Sequence, residues 1–412
     1  MHFLYNILIN TAEKLLPASG LFSDKMKLFV SGRKNVFSKL EQELVANDKT
    51  IWFHAASLGE YEQAVPVIEV IKKQFPEKKI VITFFSPSGY EVKKNKSLGD
   101  VTVYLPLDTA ANVNRFLDLA DPEWALFIKY EFWPNYLQEL KRRKIRTLLV
   151  SGGFREDQVF FKSYGSWMRS YLQTFEHFFV QNEKSVQLLN SIGFSNVTLS
   201  GDTRFDRVSH QIEQENHLHF IEEFKNGKLC VVAGSTWPED EDLLIEFINN
   251  ASEEVKFIIA PHTLKPAKVQ RLQELLKKKS VLFSEKEGKD LTTFQVFIID
   301  TIGLLTRIYS YADIAYVGGA AGNTGLHNIL EPATFGVPII IGENFDRFPE
   351  AIQLQKLAGL FAVANKEELA VILEKLIDDK DFRRKTGMIS GHFINSNTGA
   401  TRIISEYLLK HS

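Results

Sequence analysis

From Thr50 onward the chain alternates short apolar runs with amphipathic stretches, and nothing else in it limits the possible folds as much. IWFHAAS, KKIVITFFS, VTVYLPL, WALFIKY, RTLLVSG and HFFVQN read as strands, with helical stretches between most of them, as at 61–75, 111–119 and 133–141. This rhythm implies a parallel sheet covered by helices on both faces. A second series begins at Leu229 with LCVVAGS, KFIIAPH, VLFS, QVFIID, IAYVGG and VPIIIG. Between the two series, 204–228 is polar and charged, with QIEQENH at its centre, and marks a domain boundary. At 412 residues the chain also exceeds one ordinary core. The expectation is α/β, with two Rossmann-like doubly wound domains facing a central cleft and strand C-termini lining it. The expected bounds are 1–49 for an N-terminal segment and entry, 50–205 for the first domain and 206–228 for a linker. The second domain is expected over 229–385, and 386–412 as a C-terminal helix returning to the first.

The formal net charge of −2 argues against a general nucleic-acid binder, which carries a basic excess. The single cysteine, Cys230, excludes an internal disulfide, and its apolar setting, LCVVAG, makes it a core residue. No Cys/His cluster has metal-ligand spacing, so neither a metal nor a cofactor is expected. The N-terminus, MHFLYNILINTAEKLLPASGLF, is interrupted by Glu13, Lys14 and Pro17 and falls short of a transmembrane span. Phe3, Leu4, Ile7, Leu8, Leu15 and Leu16 repeat at helical spacing. Lys14, Lys25, Lys27, Arg33, Lys34 and Lys39 outnumber Glu13 and Asp24. An apolar stripe beside basic residues suits an anionic membrane surface, or a helix packed on the protein's own body.

Several motifs follow strands and should converge at one cleft. In HAASLGEYE, Ser57 and Glu60 have the spacing of a capping box, which alone would account for both. Glu60 would also project at the cleft end of a helix, where Gly59 allows close approach and a glutamate can act as general base. Ser86 ends the next strand and caps a helix. Glu131, in KYEFWPN, suits a sugar site or a helix start. Arg204, in GDTRFD, can grip phosphate or carboxylate with two parallel hydrogen bonds. Ser235 and Thr236, in GSTWPE, open a second helix, with Thr236 and Glu239 at capping-box spacing. The acids Asp240, Glu241 and Asp242 read as surface charge in its first turn. His262 and Lys265, in APHTLKP, face a negatively charged ligand or form an ordinary loop. In GGAAGNTGLHNILEPATFGVP, Gly318 and Gly319 predict a turn that exposes free N–H groups to an anion. A helix is expected from near Asn328, with His327, Asn328 and Glu331 sharing one face.

Taken together, HAASLGE, KYEFWPN, GDTRFD, AGSTWPEDE and GLHNILEPATFGVP before IIIGENFDRFPEA resemble the 3-deoxy-D-manno-octulosonic acid (Kdo) transferases of bacterial lipopolysaccharide synthesis, in shared order and across nearly the whole chain. The resemblance implies a GT-B fold, CMP-Kdo as donor and a lipid A precursor as acceptor on the cytoplasmic face of the inner membrane. It places the catalytic base on Glu60 and the donor nucleotide around Asn328 and Glu331, with Glu331 on the ribose. Ser57, Gly59, Ser86 and Glu131 are expected on the acceptor side. Arg204, Ser235, Thr236, His262, Gly318 and Gly319 join the donor set. Arg204 stands where the family often has lysine, PHTLKP replaces P-R-H-P-E-R, and GLHN replaces G-G-H-N. CMP leaves as a monophosphate, so helix N-termini and Arg204 would stabilise it without a metal, in one inverting displacement. The rival readings are a UDP-sugar transferase or 2-epimerase of the same fold, and a membrane-associated nucleotide- or lipid-binding protein without chemistry.

Overall fold

Strands buried on both faces read as unbroken apolar runs, and both series of them form wholly parallel sheets. The computed structural model describes residues 1–19, 23–46 and 48–411. The first sheet comprises β1 (Thr50–Ala55), β2 (Lys79–Phe84), β3 (Val101–Tyr104), β4 (Pro122–Ile128), β5 (Arg146–Gly152), β6 (His177–Val180) and β7 (Val197–Leu199). Their order is β3-β2-β1-β4-β5-β6-β7. The second comprises β8 (Leu229–Thr236), β9 (Val255–Pro261), β10 (Ser280–Leu282), β11 (Val296–Ile298), β12 (Ile314–Val317), β13 (Ile339–Gly342) and β14 (Leu360–Val363), ordered β10-β11-β9-β8-β12-β13-β14. The strand order reverses at β1 in one sheet and at β8 in the other. Crevices beyond the carboxyl ends of such strands are where open parallel sheets take ligands.

β1 shows how the sequence fixes this. Side chains alternate faces along a strand, so Ile51, Phe53 and Ala55 enter one core while Trp52 enters the other. His54 shares the face of Trp52 and is fully buried.

The chain divides into two compact units, Met1–Arg207 with 398–412, and 208–397. The boundary corrects the expected linker over 206–228. Asp206 and Arg207 stay with the first unit, and His219–Lys225 is a helix that buries Ile221 and Phe224 in the second unit's core. The C-terminal return is shorter than expected, since Lys380–Asn397 belongs to the second unit and Ala400–His411 to the first. Ile404 and Leu408 of that last helix complete a core of the first unit. Asp206 holds its start, accepting from Gly399 N at 2.6 Å, Thr401 N at 2.8 Å and Thr401 Oγ1 at 2.9 Å.

At the N-terminus His2–Ser19 is a helix, and residues 20–22 of the basic amphipathic segment lie outside the described residues. One side of the helix is fastened to the first unit: Tyr5 donates to Asp108 at 2.7 Å, Asn135 donates to Asn6 at 2.7 Å, and His2 meets the Tyr171 hydroxyl at 2.6 Å. Phe3, Leu4, Ile7, Leu8 and Leu15 remain exposed. Among the described residues no helix is long and apolar enough to cross a membrane.

Candidate active site

In the first unit the chemistry gathers past the ends of β1 and β4. Ser57 is the N-cap of Leu58–Gln74, and Glu60, in its first turn, reaches back to it. Glu60 Oε2 accepts from Ser57 N at 2.7 Å and Ser57 Oγ at 3.1 Å. The capping box therefore forms, and it also aims the carboxylate. Burial, and then the nearby charge of Glu131, push the Glu60 carboxyl above its ordinary range. A Cβ at Gly59 would meet no protein atom within 4 Å, so the surface beside Glu60 is open there. Ser86 caps Pro87–Lys93, and its N–H donates to Ala56 O at 2.7 Å, which ties the turn after β2 to the loop after β1.

Glu131 belongs to a polar network that the motif reading did not find. Its Oε2 accepts from Trp133 Nε1 at 2.9 Å and lies 3.3 Å from His54 Nε2. His54 Nδ1 is 2.9 Å from Thr83 Oγ1, its register partner on β2, and Trp52 Nε1 donates to the same hydroxyl at 2.8 Å. Trp133 Nε1 also lies 3.2 Å from His54 Nε2, so the indole N–H is shared between the imidazole and Glu131. A histidine inside an otherwise apolar strand was the available signal, since a buried polar ring must find partners.

Arg204, on Thr203–Ser209, is also organised from below. Asp202 Oδ2 accepts from Arg204 Nε and Nη2, both at 2.8 Å, while Asp202 Oδ1 accepts from Gln63 Nε2 at 2.9 Å. Gln63 lies on the Glu60 helix, so the arginine and the glutamate share one scaffold. Asp202 and Gln63 were not anticipated either.

In the second unit the loops after β8 and β12 meet, and here several expectations are corrected. Gly318 and Gly319 do not present free donors: Gly318 N donates to Gly234 O at 2.9 Å and Gly319 N to Asp240 Oδ2 at 2.8 Å. Asp240 and Glu241 are buried, not surface acids. Thr236 does not pair with Glu239. The N-cap is Trp237, whose N–H donates to Asp240 at 2.9 Å, and Thr236 Oγ1 donates to Glu241 at 3.2 Å. The following helix is Leu330–Thr334, so His327 and Asn328 precede it and the three polar residues share no helical face. Asn328 Oδ1 instead accepts from Leu330 N at 3.1 Å, and its amide donates to Glu331 Oε1 at 3.2 Å. Glu331 Oε2 accepts from Thr306 at 2.9 Å. Ser235 holds a positive φ of 54°, which turns its carbonyl towards Gly318.

His327 and His262 stack into a tower with Trp237. Ring centroids lie 4.6 Å apart for Trp237–His262 and 4.5 Å for His262–His327. Trp237 Nε1 donates to His327 Nε2 at 3.1 Å, which leaves the proton on Nδ1. Burial and the neighbouring His262 lower His327 to about 4, and burial lowers His262, so both rings are neutral near pH 7. Lys265 is the N-cap residue of Pro266–Leu275 and stays outside this tower. Among the described residues no group of three or more His, Cys, Asp or Glu side chains is placed to hold a metal ion.

A profile of the family described as "3-Deoxy-D-manno-octulosonic-acid transferase (kdotransferase)" matches residues 31–207, most of the first unit. The chain is 28% identical over 375 residues to the 3-deoxy-D-manno-octulosonic acid transferase of Rickettsia bellii, covering 87% of this chain and 86% of that one. The first unit is thus similar to the Kdo-transferase family over 31–207, and most of the chain is similar to curated Kdo transferases. The Kdo transferase of Haemophilus influenzae is 25% identical over 376 residues, with 87% and 86% covered. These likenesses are those of a glycosyltransferase. Its fold is that of the GT-B enzymes. The UDP-GlcNAc 2-epimerase from Neisseria meningitidis bound to UDP-GlcNAc matches with a TM-score of 0.63 at 16% identity, over 88% of this chain and 100% of that one.

Proposed function

We propose that this Kdo-transferase relative moves Kdo from CMP-Kdo to a lipid A precursor, lipid IVA, by a single inverting displacement that needs no metal. The observation that carries the reading is Glu60: a partly buried carboxylate at the reversal point of the first sheet, with its pKa raised, on a unit that matches the family. Glu60 takes the proton of the acceptor hydroxyl as that oxygen bonds to the anomeric carbon of Kdo. The bond from that carbon to the phosphate oxygen breaks, and its electron pair leaves with CMP. A raised pKa suits this step, because an ordinary glutamate would accept the proton more weakly. Ser57, Gly59, Ser86 and Glu131 serve the acceptor side. The donor is assigned to the second unit, through Ser235, Thr236, His262, Gly318, Gly319, Asn328 and Glu331. Gly318 and Gly319 contribute close packing there, since their N–H groups are already bonded within the protein.

The same reading places the protein on the cytoplasmic face of the inner membrane. Five apolar side chains of His2–Ser19 are exposed while its polar side is fastened to the first unit. Lys14, Lys25, Lys27 and Lys34 are exposed near this helix in sequence. Arg33 is not among them, since it turns inward to the carbonyls of Leu105, Phe29 and Phe85. A cavity of about 210 Å³, lined by Leu16, Pro17, Val30, Phe37 and Leu107, lies against the helix and offers room for part of an acyl chain.

The decisive experiment supplies lipid IVA and CMP-Kdo made in place, in detergent with excess chelator, and weighs the lipid product by mass spectrometry. A gain of one or more Kdo units with wild type and none with Glu60→Gln is the expected result. No gain with wild type, in folded protein and with CMP-Kdo intact, would sink the reading and direct the search to UDP-sugars.

A further inference from the structure

The glycine turn of the second unit is already occupied by a carboxyl group of the protein. Asp240 is wholly buried in the first turn of Pro238–Asn250 and receives four donors. Its Oδ2 accepts from Trp237 N at 2.9 Å and Gly319 N at 2.8 Å. Its Oδ1 accepts from Tyr316 OH at 2.8 Å and, more weakly, from Ala321 N at 3.4 Å. These donors come from both loops at the β8/β12 reversal and from β12 itself. Capping the helix would require only the Trp237 bond, so the reach to Gly319 and Ala321 needs another reason. A buried carboxylate is retained only where partners replace its water. Here those partners include the N–H groups that a glycine turn would otherwise offer to phosphate.

We propose that Asp240 is a positioning residue for the donor site, a resident carboxylate that locks the Gly318–Ala321 turn against the 235–237 loop before any donor arrives. The inference rests on the second unit being the donor unit. The turn then offers the donor its shape and leaves the donor's charge to other groups. Gly318 fits the same account, because a Cβ there would lie inside contact distance of Ser235 O and 2.8 Å from Asp240 Oδ2. The ring tower depends on the same lock from two directions. Asp240 fixes Trp237 through its N–H, and it fixes Gly319, whose neighbour Gly318 accepts from His327 N at 3.1 Å. Trp237 and His327 then close the loop through their own hydrogen bond.

The test replaces Asp240 with Ala in the full chain and follows melting temperature and donor kinetics, with sodium formate against sodium chloride. The expected variant melts lower, and its KM for CMP-Kdo rises about tenfold or more while the acceptor KM holds and kcat changes much less. Formate, which can refill the vacated seat, should raise the variant's melting temperature and lower its donor KM. Chloride should do neither, and wild type should ignore both salts. Equal changes in donor and acceptor KM, or indifference to formate, would overturn the proposal. Should the alanine variant fail to fold, Asp240→Asn keeps the shape, with the Tyr316 hydroxyl free to rotate and accept from the new amide. A smaller rise in donor KM without formate rescue is then expected, and a wild-type donor KM overturns the proposal. The melting shift needs no substrate. Wild type that never turns over CMP-Kdo would therefore defeat the functional reading, while the formate comparison would still decide whether the seat exists.

Discussion

Glu60 performs two tasks with one carboxylate, and they can be separated by substitution. Its Oε2 closes the cap on Ser57, and Oε1 accepts no hydrogen bond among the described residues. Glutamine keeps an oxygen for the cap but cannot take a proton, so Glu60→Gln should fold and lose about 10²- to 10⁴-fold in kcat, the usual worth of a general base. A melting curve near wild type alongside that loss is the expected pair of results. The pH profile carries a second prediction. Burial and then Glu131 raise the Glu60 pKa, and a base works only when deprotonated, so activity should fall with acid at a higher pH than an ordinary glutamate would give. Glu131→Gln removes the like charge while still accepting from Trp133. The acid limb of kcat/KM should therefore move to lower pH, and an unmoved limb would mean that the two carboxylates do not communicate. Asp240 shows what the sequence hid at this scale. In PEDED nothing distinguishes the inward acid from its neighbours until helical phase and the glycine turn are both known.

Among elements, the strands and the turns were legible to different degrees for a physical reason. Twelve strands stood out as apolar runs because both faces of a covered parallel sheet demand them. The two that did not, β7 and β14, are edge strands of their sheets and are only partly covered. Local sequence also set the helix starts at Ser57, Ser86 and Pro134, where caps and proline act within a few residues. The 318–331 segment was misjudged because its hydrogen bonds run to residues far away in the chain, at Gly234, Asp240 and Thr306. His54, Trp133, Asp202 and Gln63 were missed for the same reason. Strand and turn meet again at Gly342, where a Cβ would lie inside contact distance of the backbone of Ala320 and Ala321. Gly342→Ala must therefore shift backbone, and a loss of about 1–3 kcal/mol in denaturant unfolding is expected. A neutral result would show that the turn yields more easily than its contacts suggest.

At the scale of the molecule, the ends of the chain are what set it apart from two sheets in tandem. The N-terminal helix should carry the protein to anionic vesicles. Leu4→Gln with Leu8→Gln, both at exposed positions, should weaken flotation with such vesicles and leave melting unchanged. Equal flotation would remove the membrane reading of this helix. The C-terminal helix is a core element, so ending the chain at Asn397 should destabilise the first unit by several kcal/mol through loss of buried Ile404 and Leu408. Proteolysis should then cut within 1–207 before it cuts within 208–397. The Asp206 clasp on Gly399 and Thr401 has a further consequence for biosynthesis. A ribosome makes the second unit as one continuous stretch, yet the first unit cannot finish its core until Ile404 and Leu408 have also emerged. The later half can thus mature ahead of the earlier one, which reverses the usual vectorial order. Pulse proteolysis of nascent chains stalled on a linker long enough for residue 397 to clear the tunnel should find 208–397 more resistant than 1–207.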